Sequence, residues 1–172
     1  MIHNTKVSII AAMDEKRGIG KENRIPWHIR EDLVRLKNLT IGHTVILGRT
    51  TFESMLSYYQ KSGKPTMSMR THIVVTHDKN YSVDPKYGFA AHSIEEALEI
   101  AGQKEKEEVF IIGGEKIFQQ TIGSADKLYL TIVQGDYSCD TFFPDYQEFK
   151  KVISEQERES EGLKYKFVEL EK

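Results

Sequence analysis

The chain has 172 residues, a formal charge of -2 with acids and bases interspersed, and one cysteine, Cys139. That length suits one domain with a real core, and the balanced charge excludes a nucleic-acid footprint or a membrane-surface patch. No apolar run is long enough to span a bilayer, and a single cysteine rules out an intrachain disulfide and fits a reducing cytoplasm.

Met1–Lys6 shows no signal-like apolar region, and Val7–Met13 follows at once as a short apolar run, read as a buried strand. Asp14–Arg24 is polar and holds two glycines, which predicts a mobile surface loop able to close over a ligand. Its Gly18-Ile19-Gly20 begins like a dinucleotide fingerprint. Asn23 stands at the third glycine position and no helix starts there, so that motif is rejected. A helix is expected just after Pro26–Trp27, running to about Leu39. Residues three and four apart share a helix face, so Ile29, Asp32 and Leu36 align with Leu33 beside them. Arg30, Glu31, Arg35 and Lys37 fall mostly on the other side. Asp32 is a carboxylate at the edge of an apolar face, next to the only tryptophan. It either stabilises the helix dipole or has a partner, in the protein or in a ligand.

Thr44–Leu47 reads as a second buried strand, ending in Gly48-Arg49-Thr50-Thr51 before a helix over Phe52–Leu56. Strand, glycine, then hydroxyls at a helix start is a layout that offers backbone N–H groups to an anion, and Arg49 adds a planar cation suited to phosphate. A plain threonine cap beside a surface arginine fits the same residues. Ser57–Met69 reads as a long loop. Strands are expected at Arg70–Thr76 and Tyr87–His92, then a helix over Ile94–Gly102 opened by a Ser93/Glu96 capping box. Glu108–Ile112 reads as a central strand, followed by Gly113-Gly114 and a helix from Glu115. A second strand–glycine–helix junction favours a ligand with several phosphates, usually a dinucleotide, although Glu115 could compete with phosphate there. Lys127–Val133 is the next strand, and Asp140–Asp145 follows a turn. Phe149–Glu155 and Leu163–Leu170, separated by a charged Gln156–Gly162 turn, form an antiparallel hairpin. The whole is a single layered α/β domain over residues 1–172, with a mixed, mostly parallel sheet of about eight strands and about four helices.

The six histidines show no metal-ligand spacing with one another or with Cys139, and neither a Walker motif nor a nucleophile elbow is present. An acid on an apolar face together with dinucleotide contacts points to hydride transfer.

Taken in order, Ile9-Ile10-Ala11-Ala12, Gly18-Ile19-Gly20 with Asn23 and Ile25-Pro26-Trp27, the Trp27-x4-Asp32-Leu33 spacing, Gly48-Arg49-Thr50-Thr51-Phe52-Glu53-Ser54, Ile112-Gly113-Gly114, Leu128-Tyr129-Leu130-Thr131 and Asp140-Thr141-Phe142-Phe143-Pro144 resemble the dihydrofolate reductase family along nearly the whole chain. The resemblance implies that NADPH reduces 7,8-dihydrofolate, with hydride passing from the nicotinamide C4 to the pterin C6. Asp32 holds the pterin 2-amino group and N3 and promotes protonation at N5. Burial is expected to raise its pKa. Thr131 orients the pterin and, through water, Asp32; Trp27 bridges loop, water and substrate. Ile10, Ala12, Leu33, Leu36, Met55 and Ile112 wall the pocket, and Arg70 grips the glutamate α-carboxylate. Arg49 and Thr76, with His77 beside them, take the 2′-phosphate and favour NADPH over NADH. Thr50, Thr51 and Gly113–Gly114, whose peptide is often cis in this family, take the pyrophosphate. Ala12, Ile19, Gly20, Gly48, Ile112, Glu115, Lys116 and Ile117 complete the cofactor surface. A monomeric cytoplasmic enzyme is implied, with no nucleic acid or membrane partner.

Four positions depart from the family pattern. Leu36 stands where an aromatic often packs, which leaves more room. The Lys64–Met69 stretch lacks a second proline, which affects the placement of Met67 and Arg70. Asp78 lies near the 2′-phosphate site and would repel it unless turned away, and Cys139 replaces a frequent glycine. Two other readings remain at this level: a pyrimidine reductase of riboflavin synthesis, against which the Trp27–Asp32 spacing argues, and a nucleotide-binding module without turnover.

Overall fold

A computed structural model describes residues 5–62 and 69–172. The apolar runs become the strands of one eight-stranded sheet. In chain order the main elements are β1 (Lys6–Asp14), β2 (Gly18–Gly20), α1 (Arg30–Thr40), β3 (Thr44–Gly48), α2 (Arg49–Ser62), β4 (Thr71–Val75), β5 (Gly88–Ala91), α3 (Ile94–Lys104), β6 (Glu108–Gly113), α4 (Glu115–Thr121), β7 (Lys127–Val133), β8 (Thr141–Phe142), β9 (Lys151–Ser160) and β10 (Leu163–Glu171). The sheet order is β5-β4-β3-β6-β1-β7-β10-β9, parallel from β5 to β7 and antiparallel across the last two pairings. Helices cross over between most of the parallel strands; β4 and β5 pair in parallel across residues 76–87 without one, and the final hairpin needs none.

Alternation along the strands sorts the core into two layers. Ile9, Ile46, Ile73, Ile111 and Leu130 pack with Ile94, Ala97 and Phe118 of α3 and α4. Val45, Leu47, Val74, Phe110 and Tyr129 face the other way, with Phe52 and Met55 of α2. On that second side α1 buries only Thr40 among its residues, so its apolar stripe stays half-buried.

Several expectations need correction. The residues 57–62 are helical, because Phe52, Met55, Leu56 and Tyr59 repeat at helical spacing and keep α2 packed; residues 63–68 of that expected loop, including Met67, lie outside the described residues, and Met69 is an exposed turn residue. α1 starts at Arg30, since Ile29 is still extended. The charged residues 156–160 belong to β9, an edge strand whose charges face water on both sides and discourage further pairing. The turn itself is only Glu161–Gly162, at φ 54° and 81°, the two-residue geometry that matches strand twist. The Ser93 cap forms, its hydroxyl accepting from the Glu96 amide at 3.0 Å, while the Glu96 carboxylate reaches the His92 amide rather than Ser93.

The expected Asp14–Arg24 loop contains a short strand. β2 pairs with β8, and Asp14, 1% exposed, accepts at one oxygen from the amides of Lys16 and Gly18 and at the other from the Tyr137 amide and the Cys139 thiol. Burial alone would push the Asp14 carboxyl up, but these donors hold it below its usual value.

Candidate active site

The carboxyl ends of parallel strands are where α/β sheets take ligands. Here those ends carry Ala12 (β1), Gly48 (β3), Thr76 (just past β4), Gly113–Gly114 (β6) and Thr131 (β7). Ala12 and Thr131 lie opposite each other in register, as do Ile10 and Tyr129.

α1 crosses over this edge. Its first turn brings Asp32 to Thr131, whose hydroxyl donates to the carboxylate at 2.5 Å. Its last residue, Thr40, accepts from the buried Arg70 just before β4, at 3.3 Å. Eight residues separate these points, about 12 Å along the helix axis. One face of α1 therefore runs from a carboxylate at one edge of the sheet to a guanidinium at the other. Leu33 and Leu36 of α1, Met55 of α2, Ile10 and Ala12 of β1 and Ile112 of β6 are all half-buried, whereas Val45 and Leu47 beside them are sealed. Ile10, Met55 and Ile112 pack on one cluster. At the far end Arg70 also lines a polar cleft of about 290 Å³ with His43, Thr44, Thr71, Lys104 and Glu105.

Asp32 is raised above the ordinary carboxylate value by burial, against the lowering effects of the Thr131 hydrogen bond and the Arg35 charge; Glu31 adds to the rise. Glu31 itself is held below its usual value by Arg158 of β9. It accepts from Arg158 Nε at 2.9 Å and from the Tyr165 hydroxyl at 2.8 Å, tying the start of α1 to the hairpin. Trp27 is buried, edge-on to Tyr137 at 5.1 Å, in a cluster with Ile29, Tyr165 and Phe167.

On the other half of the edge, the Gly113–Gly114 peptide is cis and Gly113 has φ 130°. A Cβ on Gly114 would lie 3.4 Å from the Thr51 hydroxyl, so bare backbone and a hydroxyl adjoin. Gly48 packs as tightly against Ile117, whose side chain belongs to the core. Thr50, His77 and Lys116 are exposed. Ile19 is half-buried and Gly20 buried in the β2–β8 pair. The Glu115 carboxylate accepts from the Phe142 amide at 2.7 Å, which anchors β8. The Thr76 hydroxyl accepts from the Asp78 amide at 3.1 Å. Asp78 is not turned away from Arg49: its carboxylate takes Arg49 Nη1 at 3.2 Å, Glu53 takes Nε at 3.3 Å, and the guanidinium lies 4.2 Å from the centre of the Tyr81 ring.

Sequence reasoning missed Asp14, Tyr81, Tyr137 and above all Arg35. Its charge placed Arg35 outward, yet its guanidinium lies over the sheet, 4.3 Å from the Phe167 ring centre. Three residues after Asp32, Arg35 shares its face of α1, and a long cation can lay its stem on apolar surface, so its charge alone was a poor guide to its side. Asp14 left a faint signal, an acid closing a strand before a glycine turn.

Known proteins share this sequence pattern and fold. The dihydrofolate reductase family profile matches residues 6–172. A dihydrofolate reductase of Staphylococcus aureus is 39% identical over 140 residues, covering 81% of this chain and 79% of its own. That of Staphylococcus haemolyticus is 38% identical over 164 residues, covering 94% and 92%. The solved Enterococcus faecalis dihydrofolate reductase, complexed with NADP(H) and RAB-propyl, superimposes with a TM-score of 0.82 at 31% identity, covering 98% of this chain and 96% of that one. The chain belongs to the dihydrofolate reductase family.

Proposed function

We propose that the chain reduces 7,8-dihydrofolate to 5,6,7,8-tetrahydrofolate with NADPH, and that Asp32 governs the proton half of the reaction. The observation that carries this is the Asp32–Thr131 pair at the mouth of the α1 groove, one carboxylate on an otherwise apolar wall. The pterin 2-amino group and N3 pair with Asp32, and the ring lies against Ile10, Ala12 and Leu33. The benzoyl group follows α1 past Leu36 and Met55 to Arg70, where a guanidinium meets the glutamate α-carboxylate. The span of about 12 Å from Asp32 to the end of α1 suits such a molecule.

The bound NADPH supplies the hydride. Bare backbone at Gly113–Gly114 beside the Thr51 hydroxyl, with Arg49 next along the edge, fits a dinucleotide that carries a 2′-phosphate. Trp27 and Ile19 close the front of the site over the nicotinamide side. A carboxyl raised by burial keeps its proton to higher pH than a free aspartate, so protonation at N5 is favoured near neutrality. We further infer that residues 1–172 act as one domain, as a monomer, in the cytoplasm. No described helix is long and apolar enough to cross a membrane.

The direct test follows NADPH absorbance with purified protein. Decay that requires dihydrofolate, and is faster with NADPH than with NADH, is expected. Cofactor binding without decay when dihydrofolate is added contradicts the reading and points to a binding module.

A further inference from the structure

We propose that Arg35 is a positioning residue for Asp32: its guanidinium, held against strands β7 and β10 beside the Asp32–Thr131 pair, acts on the carboxylate through space and sets the pH at which turnover falls. This rests on the proton role given to Asp32 above.

The placement is specific. Arg35 lies three residues after Asp32, on the same face of α1. Its Nη1 donates to the Leu130 carbonyl at 3.4 Å, one residue before Thr131. Its guanidinium sits 4.3 Å from the centre of the Phe167 ring, and Phe167 is the cross-strand partner of Thr131. Thr131 in turn donates to Asp32. Carboxylate and guanidinium thus converge on one register position of the β7–β10 ladder.

The neighbouring charges answer Arg35 only in part. From α1, Glu31 is occupied by Arg158 and Tyr165. From β10, Glu169 stands 3.8 Å from Arg35 Nη2, but its other oxygen holds Lys127 of β7 at 2.8 Å. Tyr129 lies with its ring centre 5.9 Å from the guanidinium, and its hydroxyl donates to Glu108 of β6. Glu169 is therefore divided between two cations, and only part of its charge answers Arg35. Burial pushes Arg35 down, with Glu169, Asp32 and Tyr129 opposing, yet a guanidinium stays charged. Asp32, raised by burial, is drawn back by Thr131 and by Arg35.

The test titrates the Asp32 carboxyl by carbon-13 NMR in the ligand-free protein. In parallel it measures single-turnover hydride transfer against pH. Wild type is compared with Arg35→Met, Arg35→Lys, Glu169→Gln and Asp32→Asn. Arg35→Met is expected to move both midpoints about one pH unit alkaline, as loss of one screened neighbouring charge does. Arg35→Lys restores them. Glu169→Gln, which leaves Arg35 in place and removes its competing carboxylate, moves them acid. A purely structural role for Arg35 predicts slower or less stable variants with unmoved midpoints, and that result overturns the proposal. So do shifts of the same sign in Arg35→Met and Glu169→Gln. Should Arg35→Met fail to fold, the Glu169→Gln shift alone decides. If the pH dependence survives in Asp32→Asn, the reading of Asp32 falls. If it vanishes there while Arg35→Met keeps the wild-type midpoints, only the Arg35 inference falls.

Discussion

A carboxylate in the first turn of a helix usually rests in water and offsets the dipole. Asp32 is instead half-buried against Thr131, with a raised pKa caused chiefly by burial. That has a stability consequence of definite sign. Between the free value near 3.8 and the raised value, the folded chain binds the proton that the unfolded chain has released, so Asp32 makes stability fall as pH rises through that window. Asp32→Asn should therefore resist urea better than wild type at pH 7, and the difference should vanish below pH 3.8, where both side chains are neutral. Asp78 raises a different residue-scale question. Its ion pair with Arg49 is exposed, so it is weak enough for a phosphate dianion to displace, but it still costs the cofactor a competitor. Asp78→Asn should raise kcat/KM for NADPH several-fold and leave NADH almost unchanged, in line with the roughly 1 kcal/mol or less of such a pair. Equal gains with both cofactors would separate Asp78 from the 2′-phosphate.

At the scale of elements, the structure turns on how the Asp14–Arg24 segment is held. Asp14 gathers donors from both flanking segments, and Gly18 leaves the space that Cys139 fills. A Cβ on Gly18 would stand 2.5 Å from Cys139 Cβ and 2.6 Å from its sulfur. The two residues form a matched pair, small against larger. Gly18→Ala should push the β2–β8 contact apart and lower kcat with a smaller effect on stability, and Gly18→Ala with Cys139→Gly should recover most of the loss. Additive losses in the double variant would show that the two sites act independently. The thiol offers little reactivity here, since burial and the Asp14 charge raise its pKa. Elements also show why the sequence was unevenly legible. Buried strands such as Lys127–Val133 are continuous apolar runs and stand out at once. β9 is read only in its first half, because the charged residues 156–160 of this exposed edge strand have no apolar face to read. α2 reads short because Ser57, Tyr58, Gln60, Lys61 and Ser62 surround Tyr59, the last residue of its stripe.

At the scale of the molecule, the layered α/β class, the mostly parallel sheet and the closing hairpin were legible because apolar strands alternate with helical stretches until the last third, but the strand order was not. What local pattern cannot show is the pairing of distant residues. Asp32 meets Thr131 across 99 positions and Glu31 meets Tyr165 across 134, and both contacts exist only once α1 lies over β7 and β10. The same docking turns Arg35 inward. On the proposed reading, this docking makes one carboxylate the reaction's proton control. That role is tested most directly by single-turnover hydride transfer from NADPH to dihydrofolate in wild type and Asp32→Asn between about pH 5 and 9. Wild type should slow as pH rises through the Asp32 transition. Asp32→Asn should bind NADPH normally but react about 10²–10⁴-fold more slowly at low and neutral pH, with no such transition. An Asp32→Asn enzyme that keeps the wild-type rate at neutral pH would contradict it.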